Sequence, residues 1–218
     1  MRRLARRQWL CALAAAFAVF ALPVGGAHAQ RRATPTDADR ADIARVEAYL
    51  DGVRSLRSHF VQTASHGGVA EGTIYLRRPG RLRIDYLPPT PLQLFADGTW
   101  LIYLDRELEQ VNQVPLSATP ASFLVRDRIR LSGDVAVERI VRRRGAIDLY
   151  LSQADDADAG QMILTLAENP LSLRGWTVID GQGVETTVTL TDPAINPDIE
   201  PGIFVYTPPD WAYPSSND

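Results

Sequence analysis

Residues Ile74 to Tyr86 read IYLRRPGRLRIDY. On either side of Pro79-Gly80, apolar and polar residues alternate, the period of a strand whose side chains point to opposite faces. Pro-Gly itself is a turn pair, because proline presets φ and glycine tolerates positive φ. The stretch is therefore a β-hairpin. Ile74, Leu76, Leu82, Ile84 and Tyr86 share one face, and Arg83 and Asp85 the other. Four arginines, Arg77, Arg78, Arg81 and Arg83, crowd the bend. A basic hairpin flanked by aromatics is one way to hold nucleic acid, so the charge of the remaining chain decides how the bend is read.

That charge is negative. All 23 basic residues are arginine, set against 26 Asp and Glu. Arg2, Arg3, Arg6 and Arg7 form a basic N-terminal region, followed by an apolar run from Leu10 to Val24 broken only at Pro23. Ala27-His28-Ala29 has the small-x-small form of a signal peptidase site. The run is shorter than the ~20 apolar residues that span a bilayer. Residues 1–29 are thus read as a cleaved signal peptide, and 30–218 as a single domain. Export by the Sec route is expected, although Arg6-Arg7 before Gln8-Trp9-Leu10 also resembles a twin-arginine signal. Without its four N-terminal arginines the chain keeps 19 against 26 acids, a formal charge near −7. No nucleic-acid partner is expected of such a balance. Cys11, the one cysteine, falls in the signal, so neither a disulfide nor a thiol is expected in the mature protein.

Outward from the hairpin the same pattern repeats. Strands are expected near His59–Ala64, Gly72–Arg77, Arg81–Tyr86, Leu92–Phe95, Trp100–Leu104 and Leu108–Val114. A second group covers Val135–Arg142, Ile147–Ser152, Gln161–Ala167, Ser172–Ile179 and Glu185–Thr191. Turn residues separate them, among them His66-Gly67-Gly68, Asp97-Gly98 and Asn169-Pro170. Before the strands, Thr36 and Asp39 form a capping pair, and Ile43, Val46, Leu50 and Val53 recur at helical spacing to about Leu56. Between the two groups, Thr119-Pro120 reads as N-cap and first residue of a short apolar helix, Ala121 to Val125, which carries Phe123 and Leu124. Some eleven tightly connected strands argue a mainly β fold: an unclosed antiparallel barrel covered by short helices.

The residues for chemistry are sparse. There is no G-x-S-x-G, P-loop or H-E-x-x-H motif, and Gly181-Gln182-Gly183 sits between two strands as a turn. His59 and His66 lack cysteine companions for a metal site, and nothing places them with a nucleophile. Asp155-Asp156-Ala157-Asp158 lacks the spacing of a calcium loop. The chain is read as a non-enzyme without cofactor or metal. What it does have is apolar strand surface, and Trp100-Leu101-Ile102-Tyr103-Leu104 is apolar on both faces. Two readings stay open from composition: an ordinary core, or a cavity beneath a helical lid.

Several stretches together carry a resemblance. Phe60-Val61-Gln62-Thr63 with Gly72, Arg78-Pro79-Gly80-Arg81-Leu82-Arg83, Ala96-Asp97-Gly98-Thr99-Trp100 and Tyr103-Leu104-Asp105 follow in order. Glu109-Gln110-Val111, Thr119-Pro120 and the closing Phe204-Val205-Tyr206-Thr207-Pro208-Pro209 complete the set. From about Val46 to Trp211 the chain resembles the LolA family of outer-membrane lipoprotein carriers. The resemblance implies a periplasmic, monomeric carrier with a cavity for lipoprotein acyl chains. Ile74, Leu76, Leu82, Ile84, Tyr86, Leu94, Trp100, Ile102, Phe123 and Leu124 would line it, and Phe204–Pro209 would supply the last strand. It implies that Arg78 latches the lid by bonding lid backbone. It implies an inner-membrane ABC-type lipoprotein-releasing complex as donor and an outer-membrane lipoprotein receptor as acceptor. Leu82 and Ile84 depart from the family, where many members carry Phe and Trp, so a paralogue for another lipid is one alternative. A periplasmic sensor or scaffold binding peptide is the other. The lipid-anchored receptor itself would need a cysteine at the cleavage point, and Cys11 is not there.

Overall fold

The computed structural model describes residues 35–156 and 160–212. The signal-peptide reading and the end of the Asp155–Asp158 run lie outside the described residues.

Helix α1 spans Asp37–Gly52 and starts as its sequence dictates. The Thr36 hydroxyl accepts from the Asp39 backbone N–H, and the Asp39 carboxylate accepts from the Thr36 N–H, at 3.1 and 3.0 Å. The helix does not reach Leu56. It stops at Gly52 because Asn196 takes over the exposed backbone: its amide donates to Gly52 O at 3.0 Å, and its carbonyl accepts from Arg54 N–H at 2.7 Å. Val53 is already extended, and Leu56 belongs to the first strand.

Eleven strands follow: β1 Ser55–Ala64, β2 Val69–Arg77, β3 Arg81–Tyr86, β4 Leu92–Asp97, β5 Trp100–Asp105, β6 Gln110–Pro115, β7 Val135–Arg143, β8 Ala146–Gln153, β9 Gly160–Glu168, β10 Leu171–Asp180 and β11 Glu185–Ile195. All eleven expected strands are present, mostly a residue or two longer. The sixth instead begins later than Leu108, because the Asp105 carboxylate accepts from the N–H groups of Glu107 and Leu108 and winds them into the turn. The strands make one antiparallel sheet in the order β6-β5-β4-β3-β2-β1-β11-β10-β9-β8-β7. β1 joins β11, so two meanders fuse side by side, and the edge strands β6 and β7 do not pair with each other. The sheet is an unclosed barrel.

The register defines its faces. Leu82, Ala96, Leu101 and Val114 are cross-strand neighbours, as are Ile84, Leu94 and Tyr103. These residues pack in or against one apolar cluster with Val46 and Leu50 of α1, so this is the inner face. Gly72 allows it to close up. A Cβ there would stand 2.3 Å from Asp85 O and 2.8 Å from the Phe60 ring, which crosses it to meet Tyr86 edge-on. On the outer face Arg83, Phe95 and Ile102 are neighbours, and the C-terminal segment lies over them, with Tyr206 against Phe95. That segment is not the expected last strand. Pro201–Phe204 is a turn of 3₁₀ helix and residues 205–209 form no ladder. Arg77 and Arg83 instead donate to Ile199 O and Ile203 O, holding the segment by side chains.

Candidate functional site

The bend of the opening hairpin ends under the helices. Arg78 directly follows β2 and is buried, with 8% of its surface exposed. Its Nε donates to Leu124 O at 2.9 Å, and its Nη1 donates to Val53 O at 2.8 Å and to Leu50 O. Leu124 ends the short helix α2, Ala121–Leu124, while Leu50 and Val53 lie at the end of α1. Helix ends leave carbonyls without intrahelical partners, and a guanidinium offers five donors. One side chain thus satisfies both helices. Gly80, whose positive φ of 74° closes the same turn, donates its N–H to Val125 O at 2.8 Å. Burial first, and then nearby Arg54, pull the Arg78 pKa down to about 10, with Asp51 opposing them. At neutral pH the group remains a cation, met by carbonyls and by no ion pair among the described residues.

α2 begins one residue later than expected. Pro120, rather than Thr119, is its N-cap, and the Thr119 hydroxyl bonds back to Leu116 O at 2.8 Å, closing the 3₁₀ turn Leu116–Ala118. Beyond α2 a strap runs alongside α1. Asp51 accepts from Ile129 N–H at 3.0 Å, and Glu47 accepts from Leu131 N–H at 2.8 Å and from Arg130 at 3.0 Å. Arg54 donates to both the carbonyl and the carboxylate of Asp127. The side chains of Ile129 and Leu131 are buried in the apolar cluster. The sequence reading missed this strap. Its signal was the alternation Arg128-Ile129-Arg130-Leu131, which is too short to separate from a loop.

Between lid and sheet remains a cavity of about 20 Å³, lined by Arg78, Leu76, Phe123 and Leu124 and by Leu164, Leu173 and Trp176 from the second meander. That volume admits about one water. Ile74, Leu82 and Leu94 belong to the same cluster, with Ile84 and Tyr86 packed against it. Trp100 and Ile102 do not. The register puts both on the outer face, where Ile102 is buried beside Phe95 and Trp100 is 41% exposed. β5 is apolar on both sides because each side is covered, so its alternation could not choose between them. The second meander's contribution was legible in Met162, Leu164 and Leu166 alternating along β9, but was not assigned to the site. The remaining hairpin arginines lie elsewhere. Arg83 offers its Nε to both Asp85 carboxylate oxygens at 2.9 Å and stacks over Phe95, and Arg81 donates to Asp97 O.

Fold and site together define a class: an unclosed antiparallel β-barrel with an apolar interior under a short helical lid. The chain belongs to the family described as outer membrane lipoprotein carrier protein LolA, whose profile matches residues 51–207. A curated outer-membrane lipoprotein carrier protein of Alkalilimnicola ehrlichii is 31% identical over 185 residues, covering 80% of this chain and 82% of that one. An uncharacterized protein of Rickettsia prowazekii is 25% identical over 109 residues, and there the match spans about half of either chain, 50% and 51%. Among solved structures, a LolA superfamily protein from Nitrosomonas europaea superposes with a TM-score of 0.42 at 12% identity, over 75% of this chain and 97% of that one.

Proposed function

We propose that the protein is a periplasmic carrier that takes the acyl chains of lipoproteins onto its inner sheet face and shuttles them from the inner to the outer membrane. The observation that carries this is the Arg78 grip on both helices, beside a cavity of only about 20 Å³. An acyl chain does not fit that cavity, so in this reading loading lifts the lid. The lid is held by polar bonds at the helix ends and by its own apolar side chains on the inner face, and acyl chains can replace the apolar part. Membership of the carrier family supports the reading. In it, an inner-membrane lipoprotein-releasing complex loads the protein and an outer-membrane receptor unloads it, and the protein performs no reaction on its cargo.

Energetics favour such a device. A buried methylene is worth ~0.8 kcal/mol, so a multiply acylated protein leaves a membrane only if its chains are covered elsewhere. Full, tight burial of several chains would approach the ~20 kcal/mol limit of non-covalent affinity and prevent release. A lid that regains its own bonds on closing offsets part of the burial and helps discharge the load.

Native mass spectrometry of protein recovered from periplasm tests the assignment. Adducts carrying acylated lipopeptide or lipoprotein are expected. Unacylated peptide adducts would instead establish a peptide-binding scaffold. A second reading rests on Leu82 and Ile84, aliphatic side chains at positions where the family resemblance leads one to expect aromatic ones. They favour a paralogue with different cargo, and free lipid adducts in the same spectrum would establish it.

A further inference from the structure

The inner face is not apolar along its whole length. The β2–β3 register runs from Arg77 opposite Arg81, beside the latch, to Gly72 opposite Tyr86 at the far end. At that far end the Tyr86 hydroxyl donates to Gln62 Oε1 at 2.7 Å, with Phe60 packed edge-on against the ring. Tyr103 stands on the same face, joined by register through Leu94 to Ile84, two residues from Tyr86. Burial raises the pKa of both phenols, that of Tyr86 to about 12 with a further push from Tyr103. Both therefore remain O–H donors. The Gln62 carbonyl is occupied by Tyr86, whereas its amide N–H₂ and the Tyr103 hydroxyl have no hydrogen-bond partner among the described residues.

Neither of these two donor atoms is shut off from solvent, so a carbonyl that arrives with lipid can take the place of water there. The Gln62 amide N–H₂ and the Tyr103 hydroxyl can each donate to a carbonyl brought in along this face. An ester or amide linkage has complementary chemistry, because its carbonyl has lone pairs to offer.

We propose that Gln62, Tyr86 and Tyr103 form a polar subsite for the ester or amide linkages of acylated lipid, with the hydrocarbon running from there toward Arg78. The subsite rests on the carrier reading and deepens it, giving the cargo a fixed direction. Tyr86 orients Gln62 by engaging its oxygen, and the free amide and the Tyr103 hydroxyl make the contacts.

Two glycerolipids of matched chain length test this, a dipalmitoyl diester and a dihexadecyl diether, each titrated against a bound lipophilic dye. The wild-type protein should bind the diester about tenfold more tightly, the effect of one hydrogen bond. Tyr103→Phe and Gln62→Leu, separately and together, should remove that preference while leaving diether affinity within about twofold. Equal affinity of the wild-type protein for the two lipids would overturn the subsite, as would variants that weaken both equally. If neither lipid displaces dye from the wild-type protein, the carrier reading has failed and the subsite falls with it.

Discussion

Arg78 is a buried cation whose partners are backbone carbonyls of two helices, and its replacement separates latch from scaffold. Each charge-assisted bond is worth about 1.5–3 kcal/mol. Arg78→Leu should destabilise the closed, empty form more than the loaded one. By linkage it should take up cargo as well as or better than the wild-type protein, yet pass it on poorly to acceptor membranes bearing the receptor. Arg83→Leu is the control, since Arg83 stacks on Phe95 of the outer face and pairs with Asp85. Normal transfer by Arg78→Leu, or an equal defect in Arg83→Leu, would remove the latch from the account. A second residue reports on α1. The Thr36 hydroxyl, and then the bond from Arg142, hold the Asp39 carboxyl down at about 2 against an ordinary 3.8. A depressed carboxyl stabilises the fold above its unfolded pKa and ceases to as it protonates in the fold. The Asp39 contribution is therefore whole above 3.8 and lost as pH falls to about 2. Asp39→Asn should flatten helicity against pH in that window, followed by circular dichroism.

At the scale of elements, the lid is a composite. Arg78 joins α1 to α2, and Asp51 and Glu47 join α1 to the strap that follows α2. Glu47→Ala or Asp51→Ala should raise amide exchange at Leu131 or Ile129, respectively, about tenfold, the effect of losing a bond of ~1.4 kcal/mol. Unchanged exchange would mean that Ile129 and Leu131 hold the strap by packing alone. The strands were legible because alternation and turn residues are local signals, and the capping pair at Thr36 and Asp39 is local too. The helix end was not, since Val53 and Leu56 continue the helical spacing and only Asn196, far along the chain, ends it. Thr119 offered cap chemistry but used its hydroxyl on the preceding turn. For Trp100 and Ile102 the face depended on what covers β5 from outside, a fact held by residues near Phe204 and Tyr206. Arg78 was placed by family resemblance; nothing in the spacing of the four arginines separates it from its neighbours.

For the whole molecule, the proposed carrier function requires that hydrocarbon enter between lid and sheet and nowhere else. Tryptophans are placed to report on this. Trp176 lines the inner cavity, Trp100 is exposed on the outer face, and Trp211 borders an outer groove of about 430 Å³ beside Arg83, Phe95 and Val205. The direct measurement is fluorescence quenching by a triacylated lipopeptide with brominated chains, in a Trp100→Phe/Trp211→Phe protein and in its complement, Trp176→Phe. Bromine quenches on contact, so the protein keeping Trp176 should be strongly quenched, saturably and near one lipopeptide per protein, while the complement stays bright. Quenching of the complement with Trp176 untouched would put the acyl chains on the outer face and contradict the account.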